Sequence, residues 1–131
     1  MSLRDGLHPD LLTRLDQVLE RMAAAGTAMK IVQGMRTTRQ QQILYAKGRT
    51  TKGPKVTNAD GIVKRSNHQV KDDGYGWAVD CAFVGPEPFA ESHPWESYGA
   101  VAKECGLRWG GDWTTFVDRP HVELPPQEPQ P

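Results

Sequence analysis

Apolar residues recur at helical spacing early in the chain. After Pro9, the side chains of Leu11, Leu15, Val18, Leu19 and Met22 fall on one face. Proline suits a first helical turn, because the N–H it lacks is one that a helix start leaves unbonded. Gly26 follows as a natural C-terminal stop. The pattern predicts an amphipathic packing helix. Met29-Lys30-Ile31-Val32 is short and apolar enough for a strand. Thr37 and Thr38 are each followed three residues later by a glutamine, Gln40 and Gln41, the reciprocal spacing of a capping box. They predict a second helix over 39–47, stopped by Gly48.

Periodicity then lapses. Residues 49–65 carry turn signals at Gly53-Pro54 and Asn58-Ala59-Asp60-Gly61 and read as a long loop. A loop of that length in a compact domain usually serves function. Aromatic and β-branched residues return over 77–84, where strand alternation puts Asp80 on the face of Ala78 and Ala82. Pro94 opens a third helix, with Trp95, Tyr98, Val101, Ala102 and Cys105 on one face and Gly106 closing it. Residues 107–113 are rich in turn formers, and 122–124 suit a terminal strand. The expected fold class is α+β: a small sheet with about three helices packed on it. One domain is expected over 1–124, and a disordered Pro- and Gln-rich tail over 125–131.

Composition narrows the partners. The 131 residues carry sixteen basic and sixteen acidic side chains, a formal net charge of zero. A phosphate-binding protein needs a basic surface, so nucleic acid is not an expected partner. No apolar run is long enough to cross a bilayer, so no membrane insertion is expected. The first residues lack a secretory pattern, which leads to the expectation of synthesis and folding in a cytoplasm. A monomer is expected. Cys81 and Cys105 have no metal-finger or redox-motif spacing, and buried free thiols are the favoured reading over a disulfide.

The candidate chemistry lies in two short stretches, Ser66-Asn67-His68 running into Gly76-Trp77-Ala78-Val79-Asp80, and Asp118-Arg119-Pro120-His121. Two histidines and a carboxylate are a ligand set for a catalytic zinc that keeps a position open for water. Each residue also has an ordinary explanation. His121 precedes an apolar pair and suits a half-buried role, and Asp80 has sixteen lysines and arginines as possible partners. A carboxylate amid Ala78, Val79, Cys81 and Ala82 is nonetheless costly to bury alone, and a metal removes that cost. Asp118 is either a turn cap or the acceptor of a proton from water. Arg36 is either a surface cation or a group that holds a substrate carbonyl. His8 and His93 each precede a proline, and helix entry explains both.

Together these segments resemble the M15 zinc peptidases of the D-alanyl-D-alanine carboxypeptidase type, especially their phage endolysin branch. The resemblance runs through Gly34-Met35-Arg36-Thr37 to Gln41, Leu44-Tyr45-Ala46, Gly48-Arg49-Thr50, the two stretches above, and Trp109-Gly110-Gly111-Asp112-Trp113. It implies zinc on His68, Asp80 and His121, with Asp118 activating water and Arg36 polarising the scissile carbonyl. Ser66 and Gln41 are implied as substrate contacts or supports of the site. It also implies an antiparallel sheet, and a peptidoglycan stem peptide cut between L-alanine and D-glutamate. Release from the host cytoplasm to the wall is expected to need a holin. One departure stands out. Residues 69–75 separate His68 from Gly76, where the family has two, so Asp72 or Asp73 is an alternative to Asp80 and the insertion is a candidate flap over the groove. Two other readings remain: a D-alanyl-D-alanine dipeptidase or carboxypeptidase of the same family, and a catalytically idle domain that binds cell wall.

Overall fold

The computed structural model describes residues 2–126. Of the tail expected over 125–131, residues 127–131 lie outside the described residues. Three helices and four strands follow in the order α1 (Pro9–Ala24), β1 (Met29–Gln33), α2 (Thr38–Ala46), β2 (Ala78–Phe83), α3 (Trp95–Glu104), β3 (Arg108–Trp109) and β4 (His121–Glu123). A single 3₁₀ turn, Gly110–Asp112, links β3 to the approach of β4. The strands form one antiparallel sheet in the order β1-β2-β4-β3. No helix among the described residues is long and apolar enough to cross a membrane.

The sheet has two chemically different faces. Val79, Cys81 and Phe83 of β2 and Val122 of β4 point into the core, where they meet Leu11, Leu15, Val18 and Met22 of α1 and Trp95, Tyr98 and Ala102 of α3. Ala78, Asp80 and Ala82 take the opposite side, as strand alternation requires. Burying α1's leucines removes apolar surface from water, the main favourable contribution to this fold. Leu15 is fully buried. Leu15→Ala is expected to lower unfolding free energy by about 2–5 kcal/mol, through lost burial and the cavity left behind. A urea titration checks this.

Local signals account for most of the element ends. His8 Nδ1 accepts from the Asp10 N–H and caps α1, whose stop is followed by Gly26 at φ +82°. At α2 only the Thr37–Gln40 pair makes the reciprocal box, so the helix starts one residue earlier than predicted and ends at Ala46, with Lys47 extended. Thr38 instead accepts from the Gln69 side chain, and Gln41 turns inward, fully buried. Both cysteines are free; Cys81 is buried, as expected, whereas Cys105 is half-buried, with its sulfur facing Arg21.

Candidate metal centre

β2 and β4 bring two of the candidate residues together through register alone. Asp80 and His121 are directly opposed across the antiparallel pair, on the face away from the core. His68 arrives from the loop before β2. The Ser66 hydroxyl accepts from the His68 N–H, the Arg36 N–H donates to the His68 carbonyl at 2.7 Å, and the Trp77 N–H donates to the Asn67 carbonyl. Buried aromatics fix the chain entering β4. Trp109 Nε1 donates to the Arg119 carbonyl at 2.8 Å, and the Tyr98 hydroxyl donates to the Pro120 carbonyl at 2.9 Å. Gly110 is needed here for closeness rather than for an unusual φ: a Cβ on it would lie 2.3 Å from the Asp118 carbonyl oxygen and 3.0 Å from His121 Cβ.

Three donor atoms converge. His68 Nε2 lies 3.1 Å from His121 Nδ1, and Asp80 Oδ1 lies 3.2 and 3.4 Å from those two nitrogens. The other ring nitrogens settle where the hydrogens are. His68 Nδ1 faces the Gly34 carbonyl at 3.0 Å and His121 Nε2 faces Glu123 Oε1 at 2.7 Å, so each carries the proton it donates. In the neutral rings, the inward nitrogens are then bare. Asp80 Oδ1 is buried and completes no hydrogen bond, despite its short distances to both rings. Three lone pairs aimed at one another repel unless a proton or a cation lies among them.

The donor set fits a metal. A tetrahedral shell with bonds of about 2.0–2.1 Å spaces its ligand atoms by roughly 3.3 Å, close to the separations found. Among the described residues, His68, Asp80 and His121 are the one such group of histidine, cysteine or carboxylate donors. Asp72 and Asp73 lie elsewhere. Asp73 accepts from the Tyr75 N–H and the Trp77 indole, and lies 3.8 Å from His8.

Without a metal, a proton takes up part of the repulsion. Burial alone would lower the His121 pKa, but the carboxylates of Asp80 and Glu123 on either side of the ring outweigh it and lift the imidazole to about 9. Burial alone would raise Asp80, yet the two histidines hold it well below the usual carboxylate range. Glu123 is likewise depressed, His121 and Asn67 prevailing over burial. Asp118 shifts the other way: burial and the neighbouring charge of Asp80 raise it.

The remaining candidates surround this cluster. Asp118 Oδ2 lies 3.9 Å from His121 Nδ1. Arg36 is buried; its guanidinium donates to Gln41 Oε1 at 2.6 Å and to Gln33 Oε1 at 3.1 Å, its Nη1 lies 3.5 Å from Ser66 Oγ, and its Nε has no partner. Gln41 therefore supports Arg36 from behind and does not line the groove. Arg36, Ser66, His68, Asp118 and His121 all line one groove of about 740 Å³. The insertion 69–75 does not cover it. Gln69 is buried and pinned to Thr38 and Gly61, and the Lys71–Tyr75 turn folds back toward Trp77. That turn borders a second, smaller cleft.

Sequence reasoning missed Glu123, Asn67 and Gln33. Glu123 had a signal, since a strand starting at His121 puts residue 123 on the same face. Its carboxylate accepts from His121 and from Asn67 Nδ2 at 2.6 Å. Carboxylates in this position orient a ligating imidazole and raise its basicity. Glu123→Gln is expected to weaken zinc binding by about 10–100-fold, measured by competition with a chromophoric chelator.

A groove flanked by a buried His/Asp/His donor set, a nearby carboxylate and an arginine, gathered at one face of an antiparallel sheet, has the make-up of a metal-dependent hydrolase. Comparison with known proteins gives the family. A family model described as D-alanyl-D-alanine carboxypeptidase, of the M15 peptidases, matches residues 60–124. The peptidoglycan L-alanyl-D-glutamate endopeptidase CwlK of Bacillus subtilis is 33% identical over 134 residues, spanning 96% of this chain and 78% of the relative. This chain belongs to the M15 peptidase family. The L-alanyl-D-glutamate peptidase of Listeria phage A118 is 48% identical over 29 residues, 22% of this chain and 10% of that protein. The crystal structure of the L-Ala D-Glu endopeptidase ChiX of Serratia marcescens shares the fold, with a TM-score of 0.63 and 21% identity over 94% of this chain and 83% of that one.

Proposed function

We propose that this protein hydrolyses the L-alanyl–D-glutamate bond of the peptidoglycan stem peptide, with zinc held by His68 Nε2, Asp80 Oδ1 and His121 Nδ1. The convergence of three donor atoms at 3.1–3.4 Å carries the metal assignment, because with neutral rings all three aim lone pairs at one point, and a proton offsets only part of that repulsion. CwlK, similar over almost the whole chain, carries the choice of bond. A catalytically idle wall-binding domain has no use for such a donor set.

Zinc, when bound, supplies Lewis acidity toward water and the substrate carbonyl. The chain supplies the rest. Asp118, half-buried at the edge of the groove, takes the proton from the attacking water and passes it to the departing amine nitrogen. Its raised pKa brings it nearer the working range of a general base. Arg36, held by Gln33 and Gln41 at the lining of the groove, places a fixed positive charge where the oxyanion develops. Ser66 orders the His68 backbone, and Glu123 holds the His121 ring. In the endolysin reading, to which the 29-residue phage match lends limited support, the enzyme reaches the wall after a holin opens the membrane.

Mass spectrometry of products released from purified peptidoglycan, with and without chelator, tests the reaction. Stem peptides with new amino-terminal D-glutamate, absent after chelation, are expected. Free D-alanine or its dipeptide would instead assign the specificity in the family model's description.

A further inference from the structure

The groove beside the metal centre is electrically two-sided. Asp118 and Glu123 line it near the donor cluster, whereas Lys55, Lys64 and Arg65 line it from the long loop. Elsewhere Arg4, Arg21 and Lys103 each pair with a carboxylate. No ion pair among the described residues includes Lys55, Lys64, Arg65 or the adjacent Arg36. Lys30, Arg39 and Lys47, outside the groove, make no ion pair among the described residues either, so what sets Lys55, Lys64 and Arg65 apart is that all three line the same groove.

That wall is held in place by the rest of the fold. Asp60 Oδ1 accepts from the N–H groups of Ile62, Val63 and Lys64, each at 3.0 Å. Two fully buried glutamines from other segments hold the same turn. Gln41 donates to the Ala59 carbonyl at 2.9 Å and Gln69 to the Gly61 carbonyl at 3.0 Å. Gly61, at φ +93°, sits close enough to Gln41 that a Cβ would press on it at 3.3 Å. The backbone presenting Lys64 and Arg65 is thus ordered before any ligand arrives, which lowers the entropic cost of binding. Across the groove, Trp113, Phe116 and Val117 offer an apolar wall.

We propose that Lys55, Lys64 and Arg65 form a carboxylate-reading wall that sets a preference for stem peptides with free rather than amidated acid groups. The inference rests on the L-alanyl–D-glutamate reading. A D-glutamate joined onward through one carboxyl keeps the other, next to the scissile nitrogen. Lysine ammonium groups serve as point charges for that carboxylate, and Arg65, whose Nη2 donates to the Val70 carbonyl at 3.3 Å, adds a third positive charge. Their attraction acts over about 8 Å at physiological salt, enough to favour an acidic peptide entering the groove.

The test compares two synthetic stem peptides, one with D-glutamate and one with D-isoglutamine, using zinc-loaded wild type, Lys55→Gln, Lys64→Gln and Lys64→Glu. Wild type is expected to prefer the acid. Each neutralisation is expected to lower the acid-to-amide ratio of kcat/KM roughly three- to fivefold, mainly through KM, with K64E lowering it further. Added salt is expected to erode the same ratio. Calorimetric binding of the acidic product peptide gives a readout independent of turnover. A ratio that stays the same in all three variants, with cleavage intact, overturns the wall and spares the reaction. Charge-dependent binding of the acidic peptide, without cleavage of either substrate, overturns the reaction and leaves the wall standing. Binding that ignores both charge and salt overturns the wall, whatever the turnover.

Discussion

Asp118→Asn is expected to bind zinc at full stoichiometry, melt within a few degrees of wild type and lose about 10²–10⁴ in kcat. Asparagine keeps the shape of the carboxylate but cannot accept the proton of an attacking water. The donor cluster stays intact, because Asp118 lies 3.9 Å from the nearest ring nitrogen, outside the 3.1–3.4 Å triangle. Folding is spared for a related reason. The anchor of this segment is backbone: the Asp118 N–H donates to the Gly110 carbonyl at 3.0 Å, and the Asp118 carbonyl accepts from His121 N–H. Stopped-flow hydrolysis of a chromogenic stem peptide, with metal content measured on the same sample, checks it. A zinc-loaded variant at wild-type rate would sink the role assigned to Asp118.

Asp80→Ala is expected to abolish activity and weaken zinc binding by well over 100-fold, beyond the range for removing a supporting carboxylate. The protons give a second readout. In the metal-free protein His121 titrates at about 9, so at neutral pH its imidazole is charged and must lose a proton before it can bind metal. Zinc binding at pH 7 is therefore expected to release about one proton from His121, and none from it well above pH 9. Calorimetry in buffers of different ionisation enthalpy measures this. The sign for stability follows from the same shift. A raised histidine pKa stabilises the metal-free fold fully below about 6.5, and this contribution is lost as pH rises through about 9. The depressed Asp80 acts at the other end. Its contribution is present above the ordinary aspartate range and is lost as pH falls below it. Without Asp80, both contributions shrink.

Legibility differed along the chain for physical reasons. α1, α3 and β2 carry strong periodicity because each buries one face against the same core, so their apolar spacing was written into the sequence. His68, Asp80 and His121 were readable as a candidate set because a carboxylate amid apolar strand residues is costly to bury alone, and the structure brings the three together. Roles that depend on where a loop folds back were not readable. Gln41 looked like half of a second capping box, yet its amide bridges Arg36 and the Ala59 carbonyl. Residues 69–75 looked like a flap, but two glutamine contacts and the Asp73–Trp77 hydrogen bond draw them away from the groove. Glu123 was overlooked because β4 was started at Val122, which hides its shared face with His121.

The cross-strand pairing of Asp80 with His121 also bears on the order of events during folding. His68 and His121 lie 53 residues apart, and their partner sits on a strand between them. No pair of these donors is brought together by local structure, so the complete cage exists only after β2 and β4 have paired in the right register. A one-residue slip would turn His121 toward the hydrophobic interior and leave Val122 facing Asp80's side. A cation captured there would act as a late inspector of strand alignment. It would slow unfolding of correctly paired molecules and leave the folding rate nearly unchanged, as stabilisation formed after the transition state does.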